Sequence, residues 1–369
     1  MKIVLVAGAR PNFMKIAPII KVLEAAKVGG SKDLDFTLVH TGQHYDQKMS
    51  GSFFEQLGIP EPEVNLQCGG GTQAEQTAAI MVAFEKYLMD QPCDWVLVVG
   101  DVTSTMACTL VAKKLGIKVA HVEGGIRSGD MGMPEEINRI VTDSISDVFF
   151  TTSETANSSL RAVGMKEDQI VFVGNTMIDT LLANEGKFGK PVFWDEEGLE
   201  KGKYVVVTLH RPSNVDHSEQ LGLLFEALDM GLQGMKVIFP VHPRTRGNME
   251  KFGLSPRNIV LVDPMGYLEF NYLVKHALGV VTDSGGITEE TTVMGVPCIT
   301  LRTSTERPET CTMGTNELIG TDPKVLQEYL EKLLAGNWKL GSIPPMWDGK
   351  AAERIVEWFV AEGKCYSES

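Results

Sequence analysis

The chain has 369 residues, a formal net charge of -14 at pH 7 and 43% hydrophobic residues. That length exceeds what one hydrophobic core supports, so the chain is expected to divide into domains. The acidic balance argues against nucleic acid or an anionic membrane surface as the main partner, because both require an excess of Lys and Arg. It leaves room for a small anion held by a few local cations. The six cysteines (Cys68, Cys93, Cys108, Cys298, Cys311 and Cys365) are scattered without a C-x-x-C pair, which fits a reducing compartment and no structural disulfides. No apolar stretch approaches the ~20 residues of a membrane-spanning helix. The first apolar run, after Lys2, ends at Gly8-Ala9-Arg10-Pro11 and is a strand, too short for a signal-peptide core. A cytoplasmic protein is expected.

In chain order, short apolar runs at Lys2–Ala7, Phe36–His40, Trp95–Val99, Val119–Val122, Val148–Thr151 and Ile170–Val173 predict buried strands. Between them lie amphipathic stretches, such as Ile16, Ile19, Ile20 and Leu23 at helical spacing. The stretch from Ala183 to Lys203 breaks this rhythm with three Gly-containing polar clusters and reads as a connection between domains. The alternation resumes with strands at Tyr204–Thr208, Val237–Pro240, Ile259–Val262, Leu278–Thr282 and Cys298–Leu301. Alternating strands and helices predict an α/β protein with parallel sheets and helices on both faces. We expect two Rossmann-like domains, 1–180 and 181–350, followed by a closing helical segment, 351–369, that packs back on the first.

In open parallel sheets, ligands bind beyond the carboxyl ends of the strands, so the polar residues that directly follow a strand are the site candidates. After Leu278–Thr282 come Asp283-Ser284-Gly285-Gly286 and a helix carrying Glu290, predicted to end near Met294 before Gly295. Ser284 suits an N-cap. The two glycines let backbone approach a ligand, and the free N–H groups of the helix start suit a phosphate. Glu290 is placed to accept hydrogen bonds from ribose hydroxyls. After the first strand, Arg10 and Lys15 bring two cations to a strand end. Asp101 follows Trp95–Val99, Glu123 follows Val119–Val122, and Glu135 opens the helix after Pro134 beside Glu136. Clustered carboxylates raise one another's pKa and make candidate acids and bases, although acids in a first helical turn also simply complement the helix dipole. His210-Arg211 and His242 follow strands of the second half and suit anion binding or proton transfer. His40, His44 and Asp46 lack metal-site spacing and no H-E-x-x-H occurs, so no metal is expected. No G-x-G-x-x-G opens a helix after a strand, so no dinucleotide cofactor is expected either.

Taken in order, these segments resemble the non-hydrolysing UDP-N-acetylglucosamine 2-epimerases. The resemblance runs from Lys2 to about Phe359. It rests on Gly8-Ala9-Arg10-Pro11 with Lys15, Thr41-Gly42-Gln43-His44, Gly100-Asp101, His121-Val122-Glu123-Gly124-Gly125-Ile126-Arg127 and Pro134-Glu135-Glu136-Ile137-Asn138-Arg139. It continues with Val173-Gly174-Asn175-Thr176, His210-Arg211, Asp283-Ser284-Gly285-Gly286 and Thr305-Glu306-Arg307-Pro308-Glu309.

The resemblance implies a GT-B fold with the active site in an interdomain cleft, a UDP-sugar substrate, no cofactor and a homodimer. It implies elimination of UDP across C1–C2 to a 2-acetamidoglucal, then re-addition with inversion at C2. In that scheme Asp101, Glu123 and Glu135 form the acid/base set and His210 assists. Arg10, Lys15, His242, Ser284, Gly285 and Gly286 hold the sugar diphosphate, Glu290 the ribose, and Arg307 belongs to the substrate-binding set. Family members commonly carry Thr-Arg-Pro-Glu where Ala9-Arg10-Pro11-Asn12 stands here, and Arg-Glu after His-Arg where this chain has Pro212-Ser213. Some members bind a second, activating UDP-sugar through Gln-His and an arginine after the next strand. Gln43 and His44 match, but Gln67-Cys68-Gly69 offers no arginine, which argues against allosteric activation. The alternatives are a C2 epimerase of a related UDP-sugar such as a diacetamido uronate, a hydrolysing epimerase that releases free N-acetylmannosamine, a GT-B glycosyltransferase with a separate acceptor, and a non-catalytic nucleotide-sugar sensor.

Overall fold

A computed structural model of the protein describes residues 1–28, 34–43, 58–232 and 234–367. The chain forms two compact units, one made of 1–183 with 345–369 and the other of 184–344.

The first unit is built on a seven-stranded parallel sheet: β1 (Lys2–Ala7), β2 (Asp35–His40), β3 (Val64–Asn65), β4 (Trp95–Val99), β5 (Lys118–Val122), β6 (Val148–Thr151) and β7 (Ile170–Phe172). Their order across the sheet is β3-β2-β1-β4-β5-β6-β7. The central strand β4 is apolar along its whole length, as a sheet covered on both faces requires: Trp95–Val99 is buried at every position. One face packs against the helices Gln73–Asp90 and Thr103–Lys114 through Val4, Val6, Ile80, Phe84, Val96, Val98, Cys108 and Val111. Among the helices of this unit, Arg10–Val28 packs against the closing helix Ala351–Ser367. The edge-to-face rings of Trp358 and Phe359 reach Trp95 and Phe150 at 5.4–5.7 Å between centroids. The start of the closing helix is capped from afar, because the carboxylate of Asp179 accepts the N–H groups of Ala351 (3.2 Å) and Ala352 (2.7 Å).

The second unit holds a six-stranded parallel sheet: β8 (Tyr204–Thr208), β9 (Lys236–Pro240), β10 (Ile259–Val262), β11 (Gly279–Thr282), β12 (Cys298–Thr300) and β13 (Asn316–Leu318), in the order β10-β9-β8-β11-β12-β13. Its two faces carry separate apolar clusters. One is built around Val205, Val207, Leu224, Phe239, Val281 and Leu330, the other around Tyr204, Val206, Ile238, Val280 and Cys298. Cys108 and Cys298 are core residues, and Cys68, Cys93, Cys108, Cys298 and Cys311 are all free thiols. Among the described residues no helix is long and apolar enough to cross a membrane.

Each predicted strand is present, shifted by at most one residue at an end. The unpredicted β3 and β13 are short edge strands of two and three residues. The helix after β11 runs from Gly285 to Met294 and stops at Gly295 in the left-handed conformation (φ 70).

Candidate active site

Each sheet reverses its strand order once, between β1 and β4 in the first unit and between β8 and β11 in the second. In doubly wound sheets the crevice at such a switch point receives the ligand. The loops that follow these four strands carry most of the candidate residues.

In the first unit, β4 and β5 run in register, with Val99 opposite Val122, so Gly100-Asp101 and Glu123 leave the sheet side by side. Glu123 is buried and takes the left-handed conformation (φ 71), which costs a non-glycine residue about 1–3 kcal/mol and tends to persist where function holds it. Its backbone N–H is tied to the Phe150 carbonyl of β6 at 2.9 Å. Its carboxylate meets Lys15, with Nζ 2.7 Å from Oε2. Lys15 is therefore paired with one of the three candidate carboxylates. Gly100 closes over this pair: its φ is +70, and a Cβ there would lie 3.3 Å from Lys15 Nζ and 3.9 Å from Glu123 Oε2.

Asp101 is partly exposed and accepts from Arg139 Nη2 at 2.5 Å, while its carbonyl accepts from the Asn138 amide at 2.8 Å. Arg139 also bonds Glu136 at 2.8 Å, and Glu136 accepts from Ser128 and Gly129 in the preceding loop. Glu136 is thus buried loop scaffolding. Its neighbour Glu135 is half-exposed and has no hydrogen-bond or ion-pair partner among the described residues. His121, fully buried, bonds Asp143 through Nδ1 (2.7 Å) and donates from Nε2 to the Gly100 carbonyl (2.8 Å). Asp143 further accepts from the Gly125 N–H and from Arg127. One network thereby sets the positions of the β4 loop, the β5 loop and the helix Pro134–Ile145.

Asn12, where the family commonly has glutamate, has a local structural role. Its Oδ1 accepts from the Gly8 and Ala9 N–H groups and its Nδ2 donates to the Val99 carbonyl, so it fastens the β1 loop to the end of β4. Arg10 lies exposed in the first turn of Arg10–Val28. Gln43 accepts from the backbone and hydroxyl of Ser104. His40 is buried, its Nδ1 accepts from Gly42, and burial lowers its pKa to about 4. His44 and Asp46 lie outside the described residues.

In the second unit, β8 and β11 pair with Thr208 opposite Thr282. Asp283, fully buried, accepts from the backbone N–H groups of His210 and Arg211, from the Asn214 amide and from the His210 ring. Burial alone raises the Asp283 pKa, but these donors outweigh it and hold the carboxyl below its ordinary value. Ser284 sits at the N-cap position, yet its hydroxyl makes no capping bond, which corrects the simple capping expectation. The first turn of Gly285–Met294 also carries no acidic side chain, so the helix's positive end is left uncompensated from within. A Cβ at Gly286 would meet nothing within 4 Å, and one at Gly285 would make only ordinary contacts with Arg302 and Glu306. Among the described residues, neither glycine is required by backbone angle or by protein neighbours.

Glu290 is buried, accepts from the Tyr267 hydroxyl at 2.8 Å and has its pKa pushed up to about 7, mainly by burial. Arg307 is also buried and donates from Nε to Glu289 at 2.5 Å. Arg302 donates two hydrogen bonds to Glu306 (2.7 and 2.9 Å) behind Gly285. His242 follows β9, one strand away from the switch point. Its exposed ring accepts from the Arg244 N–H and so caps the helix Pro243–Phe252.

Two parallel doubly wound sheets, one carrying a carboxylate set and the other a glycine-opened helix start, define an α/β protein of the GT-B class. A family model described as UDP-N-acetylglucosamine 2-epimerase matches residues 26–359, and the chain belongs to that family. The chain is similar to the UDP-N-acetylglucosamine 2-epimerase of Methanocaldococcus jannaschii, 41% identical over 96% of this chain and 98% of the relative. It is also similar to the UDP-2,3-diacetamido-2,3-dideoxy-D-glucuronate 2-epimerase of Pseudomonas aeruginosa, at 38% over 97% and 99%. The crystal structure of the M. jannaschii enzyme in complex with UDP-GlcNAc and UDP aligns with a TM-score of 0.86 at 40% identity, covering 98% of this chain and all of that one.

Proposed function

We propose that this chain interconverts UDP-N-acetylglucosamine and UDP-N-acetylmannosamine without hydrolysis. The observation that carries this reading is the pairing of Asp101 and Glu123 on neighbouring strand ends, in a chain of a 2-epimerase family. A carboxylate of the set Asp101, Glu123 and Glu135 removes the C2 proton. The C1–O bond breaks, its electron pair leaves with UDP, and a C1–C2 double bond remains. UDP then adds back at C1 while C2 receives a proton on the opposite face. A base, an acid and a cradle for the departing diphosphate are what such a reaction demands. Lys15 balances the charge of Glu123. In the second unit, Ser284, Gly285 and Gly286 receive the diphosphate at the helix start, His210 assists its departure, and Glu290 takes the ribose. Arg10 and His242 add donors for the phosphates, and Arg307 supports the ribose site through Glu289, the neighbour of Glu290.

The test is incubation with UDP-N-acetylglucosamine in deuterated water, followed at C2 by NMR. Deuterium at C2 with a manno product is expected. No exchange, even with added UDP, would exclude this reading, and free N-acetylmannosamine would indicate a hydrolysing enzyme. The Pseudomonas relative supports a second reading, C2 epimerisation of a diacetamido uronate, and that sugar belongs in the same assay. The reading includes a homodimer, to be established by a light-scattering mass of two chains.

A further inference from the structure

Among the described residues, the ring of His210 is anchored on one side only. Its side chain is 55% exposed, while the Asp283 carboxylate that holds its Nδ1 at 2.7 Å is fully buried. Asp283 has no freedom to release the ring, because its two oxygens also accept from His210 N (3.0 Å), Arg211 N (2.9 Å) and Asn214 Nδ2 (3.0 Å). Asn214 is itself held by the Leu301 carbonyl of the next loop, and Arg211 Nε donates to the Asp283 carbonyl. The residue after Asp283 is Ser284, the start of the helix assigned to the diphosphate. One buried carboxylate therefore belongs both to the loop that would meet the leaving group and to the setting of the only imidazole in that loop pair.

We propose that Asp283 is the positioning residue for His210: it keeps the proton on Nδ1, so that Nε2 alone faces the departing diphosphate. This inference rests on the proposed epimerase reading. With Nδ1 committed to a carboxylate, the charged ring donates from Nε2 and the neutral ring accepts through the same atom. Elimination and re-addition run the same proton contact in opposite directions, and a ring held this way serves both without turning. A free histidine side chain in water has no such constraint. Asparagine at 283 offers N–H as well as oxygen to the loop, and an amide N–H facing Nδ1 would drive the proton to Nε2.

Two measurements test the proposal. The first is ¹⁵N NMR of the histidine rings in the unliganded protein, with His210 assigned from the signal lost in His210→Asn. In the neutral ring we expect a protonated Nδ1 and an unprotonated Nε2; the reverse pattern overturns the proposal. This readout requires no turnover and so stands apart from the fate of the epimerase reading. The second is Asp283→Asn, assayed by C2 exchange and by UDP binding. The expected result is at least about a 100-fold loss of kcat with UDP affinity within about 5-fold of wild type, and no further loss when His210→Asn is added. Turnover within about 5-fold of wild type, or UDP affinity falling in step with turnover, overturns it; the latter would make Asp283 a support of the nucleotide loop alone.

Discussion

Lys15 and Glu123, 108 positions apart in the chain, meet as a part-buried ion pair with 2.7 Å between Nζ and Oε2. Lys15 faces the buried Glu123 carboxylate, and breaking a buried pair from one side typically costs about 3–5 kcal/mol, whereas removing both partners is much milder. Lys15→Met is therefore expected to lower stability by about 3 kcal/mol, and Lys15→Met with Glu123→Gln to recover much of it. Both proteins are expected to lose C2 exchange. Denaturant unfolding and the exchange assay together read this out. A double variant as unstable as Lys15→Met would mean that the pair is not what Lys15 contributes.

Gly286 is a second place where stability and activity separate. Open space surrounds its missing Cβ, and alanine is the better helix former by about 1 kcal/mol in a helix interior. Gly286→Ala is expected to fold at least as well as the wild type and to bind UDP at least about 10-fold more weakly, since every factor of ten is about 1.4 kcal/mol of lost phosphate contact. Calorimetric titration with UDP checks it, and unchanged affinity would remove the diphosphate from this helix start.

Glu290 gives a pH signature. Its ordinary pKa of 4.5 is raised to about 7 in the fold, so the folded state resists its ionisation. The stability linked to this group is fully present below pH 4.5 and is lost as pH rises through 7. Glu290→Gln cannot ionise. Without ligand it is expected to gain stability over wild type at pH 8, by no more than roughly 3 kcal/mol, since each tenfold change in a proton equilibrium is worth about 1.4 kcal/mol. The gap is expected to close near pH 4.5. Thermal midpoints at the two pH values show the sign. The same variant is expected to bind UDP less tightly, because the amide replaces an anionic acceptor.

Asp179 caps the closing helix from another part of the chain. Asp179→Ala leaves two N–H groups at a buried helix start without an acceptor, for a loss of about 1–2 kcal/mol. Faster amide hydrogen exchange confined to Ala351–Ser367 and the helix Thr176–Asn184 is the expected readout. Uniform exchange across the first unit would place the loss elsewhere.

The strands were legible because a sheet covered on both faces demands unbroken apolar runs, and the site loops because polar residues follow those runs at once. The edge strands β3 and β13 were not, since a few half-buried residues at a sheet margin show no such run. Asp101, Glu123 and the Gly285-Gly286 start could be named from position alone. The Lys15–Glu123 contact could not, because pairing across 108 residues is a product of the tertiary fold. Asn12, Arg139, Asp143 and Tyr267 were missed for the same reason: each is an ordinary polar residue in its own segment, and its partner lies on another segment of the chain. Asp283 was visible as the first residue of the glycine-containing loop, but its hold on His210 is a contact between two strand ends that only the fold brings together.

The closing helix has a consequence for how the protein is made. It belongs to the first unit, yet the ribosome reaches it only after all of 184–344 has been synthesised. Until then Trp95 and Phe150 lack the rings of Trp358 and Phe359 that cover them, and Asp179 has no helix to cap. The first sheet to be translated is the last to be finished, and a nascent chain stalled within the second unit exposes an aromatic surface that the completed protein hides.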